Sequence, residues 1–245
     1  MNTFLKLLFY SFVLIRQNSK LLVANLILPV AIGIFILTLE HFYISKSKDL
    51  LFLNNLVAVF LLFLSVLITT RSYQIYVSGK LKYNNLKLWS IIESKFFLLI
   101  IGIGLSVGTF IISISSILSF ILDFNNNSNK IIYGMLVFAP VAYISTRIIL
   151  SFIILSTSTN DDIKVFDSIK TSWSMSNQNT VMIFLLCLII PLSLTISFGL
   201  VGKDILGVFF SKIFSMVIIP IETAFISSVY LFLKNKKNQD DVINP

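Results

Sequence analysis

Two residues stand out as places where chemistry could occur: Arg147 and Glu222, each set inside a long apolar stretch. Arg147 falls in the inner half of one stretch, and Glu222 near the middle of another, two residues after Pro220. An ionisable side chain in hydrocarbon costs about 2.5 to 3.5 kcal/mol on insertion scales, so each needs a partner, a water cavity or a short path to the surface. A long arginine near the inner end of one helix and a glutamate one or two turns deeper on another can meet, which predicts an Arg147 to Glu222 ion pair within the membrane. Such a pair could be structural, or it could belong to a transport or gating path. The competing expectation is that Arg147 snorkels to headgroups while Glu222 is protonated or bonded to Ser and Thr hydroxyls.

Few other residues offer catalytic chemistry. His41 is the only histidine and Cys187 the only cysteine, which removes an intramolecular disulfide, a Cys-based metal cluster and most histidine-based triads and zinc sites. Asp161 and Asp162 are adjacent, but neighbours on a helix point about 100° apart and no further acids or histidines complete a metal site. Their expected role is to favour the positive start of a helix. No catalytic, cofactor-binding or metal-binding residues are therefore expected.

The elements that must position Arg147 and Glu222 follow from composition. Hydrophobic residues make up 56% of the chain and charged residues 12%, whereas a soluble domain carries about a quarter charged. Stretches of about twenty apolar residues, the length that crosses a bilayer, occur at 21–39, 51–70, 96–122, 131–155, 180–201 and 208–233. The expected fold is all-α: one six-span membrane domain over 1–233, followed by a polar, disordered cytoplasmic tail over 234–245. The first run begins after Lys6, Arg16 and Lys20 and ends without a small-x-small cleavage site, so it is expected to stay as an anchor.

The net charge of +8 fits the same picture. Fourteen of the 19 Lys and Arg residues fall on the side of the termini and five on the other, which places both termini in the cytoplasm of a multi-pass cell-membrane protein. A basic soluble protein would suggest a nucleic-acid partner, but here none is expected. The far-side connections read as polar turns, Asn125 to Asn129 and Gly202-Lys203-Asp204. Asn126 opens a sequon of low specificity. Lys212 sits about a turn inside the outer end and is expected to snorkel.

Three inner-side segments each precede a pair of spans and read as short amphipathic interfacial helices. The first carries Leu5, Leu8, Phe12 and Ile15 at helical spacing, and the second Leu86, Trp89, Ile92 and Phe96. The third is expected to be capped at Asn160, with Phe166, Ile169 and Trp173 on its apolar face and Asp167, Lys170 and Ser174 elsewhere. Trp89 and Trp173, the only tryptophans, are thus expected as interfacial anchors. The segments would close the bundle on its inner face, or dock a soluble partner or anionic lipid.

Within the spans, Gly104 and Gly108 stand at GxxxG spacing, continued by Ser115 and Ser119, and predict a face for close helix packing. Gly102-x-Gly104 is no dinucleotide fingerprint, because no strand precedes it. Pro29, Pro140, Pro191 and Pro220 each remove an N–H from an expected span and could kink it around a cavity.

The string Ser145-Thr146-Arg147, an apolar run to Leu155, and then Ile169-Lys170-Thr171-Ser172-Trp173-Ser174-Met175-Ser176-Asn177 before a further span resembles the membrane domain attached to some glycerophosphoryl diester phosphodiesterases. It is also similar to related stand-alone bacterial inner-membrane proteins of unassigned function. The resemblance covers much of the chain as a topology pattern and about thirty positions at the residue level. It implies a six-helix membrane module with an ancillary role. No stretch reads as a phosphodiesterase catalytic domain, so that activity does not carry over. The function expected is a non-catalytic scaffold or ancillary component of a membrane assembly, with the lipid bilayer and a protein partner or second copy as its contacts. The alternative is a transporter or permease-like protein using Arg147 and Glu222.

Overall fold

The computed structural model describes residues 3–39, 51–79, 86–121, 127–157, 164–177, 179–190, 193 and 205–243. These form α1 (Thr3–Leu39), α2 (Leu51–Ser78), α3 (Leu86–Ile121), α4 (Asn127–Thr157), α5 (Val165–Ser176), α6 (Thr180–Ile183, running on as a π-helical stretch Phe184–Ile189) and α7 (Ile205–Ile243). There is no strand among the described residues. Five helices, α1 to α4 and α7, are long and apolar enough to cross a membrane. Of the expected span 180–201, the described part is the shorter apolar helix Thr180–Ile189 and a few residues beyond it; the rest lies outside the described residues.

The first two inner segments are not separate helices. α1 runs unbroken for 37 residues and α3 for 36, each uniting an expected interfacial segment with the span behind it. The cause lies in the junctions: Gln17 to Lys20 contains neither Gly nor Pro, and Asn18 and Ser19 bond back to the Leu14 and Arg16 carbonyls, continuing the helix. At about 1.5 Å per residue α1 is about 55 Å long, well beyond a hydrocarbon core of about 30 Å. Only the third segment, α5, is a helix of its own. α7 likewise continues through the polar run after Leu233 to Ile243, where the sequence suggests a disordered tail.

α7 is the axis of the bundle. It packs chiefly on α1 and α2, and it is buried on every side from Thr223 to Tyr230, the pattern of a helix enclosed by other helices. The main core joins Tyr73 of α2, Leu150 and Ile153 of α4, Leu186 of α6, and Phe225 and Val229 of α7. Gly33 of α1 lets the Met216 side chain of α7 come close, since a Cβ there would lie 2.8 Å from its sulfur. Several hydroxyls on the buried faces are bonded locally: Ser11 donates to the Leu7 carbonyl and lies 2.8 Å from the Ser228 hydroxyl, joining α1 to α7. Two thirds of the most apolar stretch of α7 is buried, 67%, against 6% for α3, whose described contacts with the core run through Phe96, Phe97, Leu99, Ile100 and Ile103. There Phe97 stacks on Phe63 of α2, and Phe96 packs on Phe152 of α4.

Candidate functional site

The expected polar residues that the structure brings together lie where α5 docks on α4. α5 begins after Lys164, whose extended backbone (φ −75°, ψ 150°) turns the chain into the helix without a side-chain cap. Asp167 in the first turn complements the helix dipole. The expected cap Asn160 and the Asp161-Asp162 pair lie outside the described residues, as does His41.

α5 turns a serine face toward the bundle and leaves most of its aromatic surface outside. Ser168, Ser172 and Ser176, spaced by four, are fully buried, while Phe166 is 74% exposed and Trp173 42%. Ile169 and Val165 keep part of their surface on the main core. Serines allow the close approach: Ser172 donates to the Arg147 carbonyl across the interface at 2.6 Å, and Ser168 and Ser176 satisfy their hydroxyls on the Val165 and Trp173 carbonyls of their own helix. The physical reason for this arrangement is the solvent. Where lipid lies outside, a small polar face gains more by turning inward than an aromatic one does.

Arg147 stands on the α4 side of this joint and is only 6% exposed. Its Nη2 donates to the Tyr143 hydroxyl at 3.0 Å, and the guanidinium carbon lies 5.0 Å from the Tyr143 ring centre and 5.7 Å from that of Trp173. The two rings meet edge to face at 6.2 Å. Helical side chains lean toward the N-terminus over the residue four before, which carries Arg147 onto Tyr143. Its contacts run to Tyr143 of α4 and Trp173 of α5, and Glu222 lies half-buried on α7. Nε and Nη1 of Arg147 are buried and meet no hydrogen-bond acceptor among the described residues.

The neighbourhood of Glu222 is held by α2. Tyr76 donates its hydroxyl to the Pro220 carbonyl at 2.7 Å, and Thr223 donates to the same oxygen at 3.0 Å. The proline region is thus braced from outside its own helix. Tyr76→Phe should cost about 1 kcal/mol, the range of buried side-chain hydrogen bonds in membrane helices, read as a lower unfolding midpoint in detergent. Gln74 of α2 donates to the Ser156 carbonyl at 3.2 Å, while its Oε1 and the Ser227 hydroxyl are buried without a hydrogen-bond partner among the described residues.

The other expected residues are dispersed. Gly104 and Gly108 lie on the outlying part of α3, where a Cβ at either would meet nothing within 4 Å among the described residues. The side chains of Ser115, Ser119 and Trp89 lie outside the described set, although the α3 backbone carries all three. Lys212 is half-buried near the start of the apolar part of α7. Cys187 is a buried core residue of the π-helical stretch, four residues before Pro191, a residue with no N–H to continue an α-helix. An open groove of about 690 Å³ lies between the start of α1 and the α5–α6 junction, lined by the polar Thr3, Asn177 and Thr180 and the apolar Phe4, Met182 and Leu185.

No group of three or more metal-ligating side chains occurs among the described residues. The sequence reading missed Tyr143 and the serine face of α5. Both carry a signal, the spacing of four that joins Tyr143 to Arg147 and Ser168 to Ser172 to Ser176.

The fold defines the class: this is a helical, apolar-rich, multi-pass membrane protein. No family model matches the chain, and neither a curated protein nor a solved structure does.

Proposed function

We propose that the protein is a non-catalytic scaffold or ancillary component of a membrane assembly, with six spans and both termini in the cytoplasm. Residues 180–201 supply the sixth span, and the inner segments lie at the cytoplasmic interface, in keeping with the bias of basic residues. The weak resemblance to the membrane domain of glycerophosphoryl diester phosphodiesterases implies the same ancillary role.

The observation that carries this reading is the position of α3. A helix that fully buries 6% of its most apolar stretch within its own chain presents much of that stretch to its surroundings. Its Gly104 and Gly108 offer the small-residue spacing through which membrane helices approach closely. The bundle itself is closed by large side chains and by hydroxyls bonded to helix carbonyls, which suits a structural core.

The partner that fits α3 is another membrane helix, from a second copy or a separate protein. Gly104→Leu with Gly108→Leu should weaken self-association in liposomes at least tenfold, about 1.4 kcal/mol, while leaving the unfolding midpoint unchanged. Energy transfer between labelled copies at increasing dilution reads this directly. A chain that stays monomeric at all densities would remove self-assembly, and leucines without effect on association would remove α3 as the contact.

A transporter role has one observation in its favour, the buried and unpartnered Gln74 Oε1 and Ser227 hydroxyl among the described residues. Glu222→Gln and Arg147→Ala that abolish movement of a tracer solute while assembly persists would establish it.

A further inference from the structure

We propose that Arg147, behind the rings of Tyr143 and Trp173, is a binding site for a phosphate oxyanion, brought to it as the headgroup of an anionic membrane phospholipid. This inference is independent of the scaffold reading. A guanidinium has five N–H donors, and one hydrogen bond, from Nη2 to Tyr143, serves this one. Nε and Nη1 are buried and meet no acceptor among the described residues. A buried cation left in this state is costly, and an anion with several oxygens relieves the cost in one step.

The surroundings select the anion. Tyr143 is 47% exposed and Trp173 42%, so the guanidinium lies beneath a surface pair of aromatic rings, not in the centre of the bundle. Tyr and Trp are the residues that settle at headgroup depth, and α5, which carries Trp173, adds exposed Lys170 one turn along. Phe166, two turns from Trp173 on the same face of α5, is 74% exposed and offers apolar surface for an acyl chain. Arginine is the residue suited to a phosphate, since its planar donors match the oxygen geometry in pairs. Carboxylates are scarce here: on α5 the one acid is Asp167, in its exposed first turn. The Trp173 ring, 5.7 Å from the guanidinium carbon, serves as the reporter.

The test uses that reporter. In the full chain with Trp89→Phe, Trp173 is the only tryptophan. The protein is placed in phosphatidylcholine vesicles that contain a small fraction of brominated phosphatidylglycerol or, in parallel, the same fraction of brominated phosphatidylcholine. The expected result is quenching by the anionic lipid several-fold above that by the neutral one, lost in Arg147→Gln and partly kept in Arg147→Lys, which retains charge without the planar donors. Lys170→Gln should keep most of the enrichment. Should Arg147→Gln fail to fold, Arg147→Lys carries the test alone, with a clear fall in enrichment expected. Addition of inorganic phosphate should leave the quenching unchanged; if it releases the lipid, the oxyanion site stands and the lipid source fails. Equal quenching by the two lipids, or enrichment that survives in both Arg147 variants, would overturn the proposal.

Discussion

Replacing Ser172 with leucine should loosen α5 from α4 and destabilise the protein by about 2 to 3 kcal/mol, one of the two largest effects expected from a single substitution. Ser172 is fully buried and its hydroxyl reaches the Arg147 carbonyl at 2.6 Å, a distance that leaves no room for a longer side chain. Inserting methylenes into such a joint forces the helices apart at about 1 to 3 kcal/mol, and loss of the hydrogen bond adds roughly 0.6 kcal/mol. Ser172→Ala isolates the second contribution and should cost under about 1 kcal/mol. Thr171→Leu, next to it on the exposed side, should stay within about 0.5 kcal/mol. Unfolding in mixed micelles, followed by tryptophan fluorescence, separates the three. Equal midpoints for Ser172→Leu and Ser172→Ala would mean that the serine face is not the docking face.

The second large effect belongs to the core. Leu150 and Ile153 of α4 have no exposed surface and pack with Tyr73, Leu186, Phe225 and Val229 from α2, α6 and α7. In a soluble protein, truncation of such a residue to alanine costs about 2 to 5 kcal/mol, part of it transfer from water and part the cavity. In a bilayer the separated helices keep their side chains in lipid, which is as apolar as leucine, so most of the transfer part disappears. The cavity and the lost dispersion contacts remain, and Leu150→Ala or Ile153→Ala should cost about 2 kcal/mol. Leu105→Ala on α3, where leucine is 65% exposed, should cost less than about 0.5 kcal/mol. A core truncation no more harmful than Leu105→Ala would show that α4 does not form this core.

The differences between sequence and structure have a common cause. Spans were legible because crossing hydrocarbon is a requirement on length and apolarity, and both are written in runs such as 96–122. Breaks between elements were less legible, because Gln17 to Lys20 is polar enough to suggest an elbow and yet holds no residue that stops a helix. The serine face of α5 was not legible for a different reason. An apolar stripe marks the inside only when water is outside; at a lipid surface Phe166 and Trp173 can point outward, and the serines can face the bundle. The place of Arg147 followed from the same chain geometry that the sequence shows, its separation of four from Tyr143. That Trp173 would join them could not be read in advance, since it depends on how closely α5 settles on α4.

Lipid cover of the exposed apolar faces is the claim on which all of this stands, and it can be measured with spin labels. In a Cys187→Ala background, labels at Phe35, Leu105 and Phe138, each more than half exposed, report collisions with dissolved oxygen and with an aqueous nickel chelate in vesicles. Oxygen should dominate at all three, because it concentrates in hydrocarbon, and the chelate should dominate at exposed Lys164 and Lys234. Chelate access at Leu105 and Phe138 equal to that at the lysines would contradict a membrane-embedded bundle.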